Sequence, residues 1–360
     1  MDLAKQLAEL CAEKSKSAQF AGAVLIRNDQ EELLRAAYGY ANRSWQVPNR
    51  VDTRFRVASI SKMFTAVAVL QLIEAGQLAL DTRIVERLGL EKTTIPPEAT
   101  VYHLLTMTSG MADWFDESTD DWAAAWAALC RENPIYLLRD NADYLPLFAH
   151  KPPLNPVGAK HQYNGAGYML LGLLIERSSG LPYFDYVRQH IFARAGMTRS
   201  DFLALDDVHE EVAEGYIPIT DDNKRIGWKR NIYSTTAAAA ADGGATSTVD
   251  DLYRFAQALR NGQLLSAEMT HAMLTPKVLQ DDEQFRGYTW MYGYGNFFLL
   301  DASDQIVRWG HTGEEDGVSG RLYHYPRQNL DVSILGNQSW CAGSLAWEIH
   351  DLIVASSLHS

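Results

Sequence analysis

The stretch Val57-Ala58-Ser59-Ile60-Ser61-Lys62-Met63-Phe64 opens an apolar run that continues through Ala66, Val67, Ala68, Val69, Leu70, Leu72 and Ile73 to Glu74, Ala75 and Gly76. Residues that are apolar around nearly the whole circumference predict a helix buried on all sides, with the glycine as its stop. Ser59 and Lys62, three residues apart in the first turn, project from one face of that helix. Burial disfavours an ammonium, so the neutral amine of Lys62 would be able to take the proton of Ser59: a nucleophile beside a base. The helix N-terminus, with its unpaired N–H groups and positive dipole end, favours negative charge developing near Ser59. By residue frequency a serine three before a lysine recurs on the order of once in a chain this long, so the rest of the sequence has to decide.

A chain of 360 residues with 47% apolar composition can bury a large core, as one domain or two lobes. A net charge of -13 without any block of lysine or arginine argues against nucleic acid and anionic membrane surfaces as partners, and leaves small molecules or short peptides. Residues 1–18 read as an amphipathic helix with Lys5, Glu9, Glu13, Lys14 and Lys16 on its polar face, unlike a signal peptide, and no run is long and apolar enough to span a bilayer. Cys11, Cys130 and Cys341 are far apart and odd in number, which suits a reducing compartment and offers no metal-ligand pattern. The expectation is a soluble cytoplasmic protein without a cofactor, although a chain trimmed of an export leader would read the same.

Phe20 to Arg27 and Glu32 to Tyr40 are strand-like runs around the turn signal Asn28-Asp29-Gln30 and predict an antiparallel hairpin. From Thr82 to about Ile232 the reading is mostly helical, clearest at Val101 to Thr106, Trp122 to Cys130, Tyr168 to Arg177 and Tyr183 to Arg194. A helix from about Thr248 to Asn261 follows, then strands at Gly287 to Leu300, Ile306 to His311, Gly320 to Tyr325 and Asp331 to Asn337. The predicted fold class is α/β of the α+β type. An antiparallel sheet built from 1–57 and 242–360 is flanked by helices, an all-helical region is inserted over 58–241, and Ser59 lies in the cleft between them.

With that layout the sequence resembles the serine hydrolases of the penicillin-binding-protein and class C β-lactamase superfamily, which carry an S-x-x-K motif. The matching stretches are Tyr38 to Lys62, Leu104 to Met111 (LLTMTSGM), Gly167 to Gly180 (GYMLLGLLIERSSG), Gly243 to Phe255 (GGATSTVDDLYRF) and His311-Thr312-Gly313, in the family's order and spacing. The resemblance implies Ser59 as nucleophile and Lys62 as base, with an oxyanion hole formed by the backbone N–H groups of Ser59 and Glu314. His311, Thr312 and Gly313 match the family's third motif. They would supply a cation or donor, a hydroxyl and a close backbone approach to substrate.

The second motif, Tyr-x-Asn in the family, falls on Tyr163-Asn164-Gly165, so the tyrosine is kept and the asparagine is replaced by glycine. Tyr163 would relay the proton, as a phenolate favoured by Lys62 when that is protonated. Losing the side-chain amide tilts the expected activity towards a carboxylesterase-like hydrolase working through an acyl-enzyme. β-Lactamase or D-amino-acid peptidase activity is the alternative within the same chemistry, and a non-catalytic binding module on the same fold is an alternative of another kind. An α/β-hydrolase is disfavoured because no Gly-x-Ser-x-Gly string occurs.

Glu314, Glu315 and Asp316 put three acids beside the expected oxyanion hole, where in a cleft they would repel a substrate carboxylate and attract an amine. Two aromatic groups, Trp114, Phe115, Trp122 and Trp126, then Tyr288, Trp290, Tyr292 and Tyr294, are candidates to line an acyl or aryl pocket.

Overall fold

The computed structural model describes residues 2–222, 224–281 and 283–356. Eight strands form one antiparallel sheet: β1 (Gly22–Arg27), β2 (Glu32–Tyr38), β3 (Val278–Leu279), β4 (Thr289–Tyr292), β5 (Phe297–Leu300), β6 (Ile306–Glu315), β7 (Val318–Tyr325) and β8 (Leu330–Gly336). Their order across the sheet is β2-β1-β8-β7-β6-β5-β4-β3, so strands from the two ends of the chain meet where β1 pairs with β8, Gly22 opposite Gly336.

Period-two alternation covers both faces of this sheet. Val24 and Ile26 of β1, Tyr323 and Tyr325 of β7, and Val332 and Ile334 of β8 pack on one side. There they meet Leu7 and Cys11 of helix α1 (Leu3–Lys16) and Leu345, Ile349 and Ile353 of the C-terminal helix α6 (Cys341–Ser356). Ala23, Leu25, Leu322 and Leu335 point the other way, into the larger core.

That core is organised by helix α2 (Ser61–Glu74), in which every residue from Ser61 to Leu72 is buried. Full burial of Met63, Phe64, Val67 and Leu70 contributes about 1.5–3 kcal/mol for each side chain. Helix α3 (Trp122–Glu132) is amphipathic and caps its N-terminus with Asp121. Helix α4 (Gly165–Ser179) lies against α2, is capped by the Asn164 side chain on the Gly167 amide, and stops at Gly180 in the left-handed region. Helix α5 (Val249–Arg260) packs on the sheet through Leu252, Phe255 and Leu259.

Two segments differ from the sequence reading. The run from Gly287 to Leu300 is a hairpin, because Gly293 to Asn296 turn with Gly295 at φ +71°, and the Tyr294-Gly295-Asn296 string lies in that turn instead of in a strand. The stretch read as helices and loops contains a second hairpin, Tyr216–Asp221 with Lys224–Arg230, whose faces are largely solvent-exposed.

Candidate active site

Ser59 lies in a short 3-10 turn, Ala58–Ile60, that runs directly into α2. Ala58 before it sits at φ +46°, a left-handed conformation that costs a non-glycine residue of order 1–3 kcal/mol and clusters at functional sites. The segment 242–247 runs antiparallel to this turn: Phe55 pairs with Ser247, Arg56 with Thr246, and the Val57 amide donates to the Ala245 carbonyl at 2.8 Å. That pairing brings Asp242 to Lys62. The Lys62 side chain is 1% exposed, and its Nζ lies 3.0 Å from Ser59 Oγ and donates to the Asp242 carbonyl oxygen at 2.7 Å. Lys62 Nζ thus bridges the Ser59 hydroxyl and the Asp242 backbone.

On the opposite side β6 runs past the nucleophile turn. Its partner β5 stops pairing at Gly310, so the edge of β6 from His311 onward has no strand on that side and faces Val57 and Ala58. A β-carbon on Gly313 would run into the backbone carbonyl oxygen of Val57, so only glycine permits the approach. Thr312 and Glu314 border the cleft with Ser59 and Tyr163. Lys62 Nζ lies 4.9 Å from the centre of the Tyr163 ring, over its face. Burial and then the Glu117 carboxylate push the Tyr163 hydroxyl well above its ordinary range, so it is a neutral phenol and not the phenolate the sequence reading favoured.

His311 also departs from its expected place. It is fully buried behind the cleft, with Nδ1 2.5 Å from the Thr312 carbonyl and Nε2 3.4 Å from the Tyr292 hydroxyl, and it does not border the cleft. Burial, reinforced by Lys62, lowers it to about 3, so it offers substrate neither a cation nor an exposed donor. Of the third motif only Thr312 borders the cleft, while Gly313 packs against the turn before Ser59.

The cleft has a volume of about 430 Å³. Trp114, Phe115, Trp122 and Trp126 line it and Trp340 closes one side, whereas Tyr288, Trp290, Tyr292 and Tyr294 do not reach it. Five acids border it: Glu117, Asp242, Glu314, Glu315 and Asp316. Glu314 and Glu315 are strand residues and not part of a solvated loop. Glu314 is held by Arg321 at 2.6 Å and by the Ser319 hydroxyl, and Glu315 by the buried Arg56 at 3.4 Å and the Thr235 hydroxyl at 2.8 Å. No lysine or arginine is among the lining residues.

Three contributors were missed in the sequence. Asp113 is buried and accepts the amides of Gly165 and Ala166 at 2.7 and 2.8 Å, tying the start of α4 in place, while burial pushes its carboxyl up to about 7. Asp242 and Glu117 border the reaction centre from loops with no motif of their own; an acid just before the Gly243-Gly244 pair was the only available signal for Asp242.

The turn of Ser59, the buried Lys62 and the strand of Gly313 therefore meet at one cleft. The family model for Beta-lactamase matches residues 7–340. The chain belongs to the beta-lactamase family. Within this beta-lactamase family it is 27% identical over 382 residues to Esterase EstB of Burkholderia gladioli, covering 98% of this chain and 95% of that protein. It is 26% identical over 329 residues to Penicillin-binding protein 4 of Amycolatopsis lactamdurans, covering 88% of this chain and 79% of that protein. A solved penicillin binding protein from Bacillus halodurans superposes with a TM-score of 0.85 at 36% identity, covering 95% of this chain and 99% of that one. The chain is thus a serine hydrolase of the beta-lactamase family, with that family's mixed α/β architecture.

Proposed function

We propose that this hydrolase is a carboxylesterase-like enzyme that works through an acyl-enzyme on Ser59. Lys62 takes the Ser59 proton as Oγ bonds to the ester carbonyl carbon, and the backbone N–H groups of Ser59 and Glu314 receive the charge that forms on oxygen. Tyr163, a neutral phenol, passes the proton from Lys62 to the leaving alkoxide as the C–O bond breaks, and an alcohol departs. Water then adds to the acyl carbon, giving up its proton by the reverse route, and the acid leaves with Ser59 restored.

The single observation that carries the ester reading is the composition of the cleft wall. Penicillins and D-amino-acid peptides with a free C-terminus present a carboxylate near the reacting carbonyl; here that carboxylate would meet five carboxyl groups, of which only Glu314 and Glu315 are offset by arginines behind the wall, no lining lysine or arginine, and a His311 that is neutral and buried. Esters carry no such requirement and leave more easily than amides.

The test is turnover of p-nitrophenyl acetate and phenylacetate beside a penicillin and a D-alanyl peptide. Ester turnover with neither penicillin acylation nor peptide cleavage supports the reading; faster reaction with the penicillin or the peptide overturns it in favour of the β-lactamase or peptidase alternative.

A further inference from the structure

Gly165 occupies the place of the asparagine in the family's second motif, and the space an asparagine side chain would need is already filled. A β-carbon on Gly165 would stand 2.6 Å from Asp242 Oδ2 and 2.8 Å from Trp114 Nε1, so a side chain there would have to displace one of these groups. The two filling groups are joined, because the Trp114 indole N–H donates to that same Oδ2 at 3.3 Å. The backbone of Asp242 is fixed in turn by Lys62, which donates to its carbonyl at 2.7 Å. A carboxylate from one loop and an indole from another thus replace one amide, beside the base and on the wall of the cleft.

The replacement changes what that wall recognises. An asparagine amide offers both a donor and an acceptor, whereas the Asp242 carboxyl, raised by burial and pulled down by Lys62, ionises beside a bound cation and then only accepts. Trp114 uses one lobe of Oδ2 from the protein side, which leaves the remaining acceptor sites of the carboxylate for a substrate group. Trp114 and Trp126, packed edge to face with ring centres 5.7 Å apart, line the same cleft, and the exposed face of an indole favours a cation over an anion.

We infer that the Asp242 carboxylate stands in for the missing asparagine as the specificity-determining group, and that it selects ester substrates whose acyl part bears an ammonium group over those that bear a carboxylate. This rests on the reading of Ser59 as the nucleophile. Gly165 and Asp242 form a matched pair: the glycine makes room for the acid, and the acid fills what the glycine leaves open.

The experiment compares p-nitrophenyl esters of phenylacetic acid carrying a para-methyl, a para-aminomethyl or a para-carboxylate group, with wild type and with Asp242→Asn. Wild type is expected to show kcat/KM for the aminomethyl ester on the order of tenfold or more above that for the carboxylate ester. Asp242→Asn should bring that ratio down towards one, each rate being taken relative to the methyl ester with the same variant so that a general loss of activity cancels. An unchanged ratio in Asp242→Asn overturns the inference. Should that variant not fold, a wild-type ratio of one or below overturns it equally. Failure of all three esters to acylate Ser59, read by mass spectrometry, overturns the nucleophile assignment and this inference with it, whereas normal acylation with an unchanged ratio removes the inference alone.

Discussion

A β-carbon placed on Gly313 would clash with the carbonyl oxygen of Val57, so β6 and the turn before Ser59 touch backbone to backbone. The width of the reaction centre is fixed by this contact. Both sides are rigid: Val57 is tied to Ala245, and Gly313 sits opposite Gly320 in the β6–β7 ladder.

Gly313→Ala must therefore push the strand away from the nucleophile. Overpacking of this kind costs about 1–3 kcal/mol of stability, and a displacement near 1 Å costs on the order of a hundredfold in rate. Thermal unfolding and kcat on a p-nitrophenyl ester measure the two effects; a kcat within twofold of wild type would show that the contact does not set the geometry.

Lys62→Met keeps the volume of a buried side chain and removes the base. Acylation is expected to slow by about 10²–10⁴-fold, read as the rate of labelling by a fluorophosphonate. Retention of most of the labelling rate would point to another base, Glu117 being one candidate on the cleft wall.

Tyr163→Phe should discriminate between leaving groups. Nitrophenolate leaves unaided, so its esters lose on the order of tenfold or less, whereas ethyl esters, whose alkoxide needs the phenol proton, lose on the order of a hundredfold or more. Equal losses for both would remove Tyr163 from the proton path.

His311 gives the fold a defined acid sensitivity. Its folded-state value of about 3 lies below the ordinary 6.5, so the unfolded chain binds the extra proton first. The stability it contributes is complete above about 6.5 and is lost as the pH falls towards 3, at a limiting slope on the order of 1.4 kcal/mol per pH unit. Urea unfolding of His311→Gln at pH 7 and pH 4.5 should show a smaller acid loss than wild type; equal losses would contradict the burial argument.

How much of this was legible in the sequence follows from how local each feature is. The Ser59 and Lys62 pairing depends on a three-residue spacing across the turn that opens one helix, and the alternation of Val24, Leu25 and Ile26 on a single strand, so both can be read directly. The β4–β5 hairpin was hidden because its turn, Gly293 to Asn296, is itself partly aromatic and continues the apolar pattern. Asp242 was invisible for another reason: its place beside Gly165 depends on the pairing of Arg56 with Thr246, 190 positions apart, which no local pattern encodes. The pairing of Glu314 with Arg321 and of Glu315 with Arg56 likewise arises only when the strands are assembled, which is why the sequence leaves open whether the acidic run faces solvent or the cleft it lines in the fold.

The central claim is that Ser59 carries the acyl group. Brief incubation with a p-nitrophenyl ester or a fluorophosphonate, acid quench and peptide mapping by mass spectrometry locate the adduct, with Ser59→Ala as the control. The account predicts one adduct on the peptide containing Ser59 and none, with no turnover, in Ser59→Ala; an adduct on another residue, or ester hydrolysis that persists in Ser59→Ala, would contradict it.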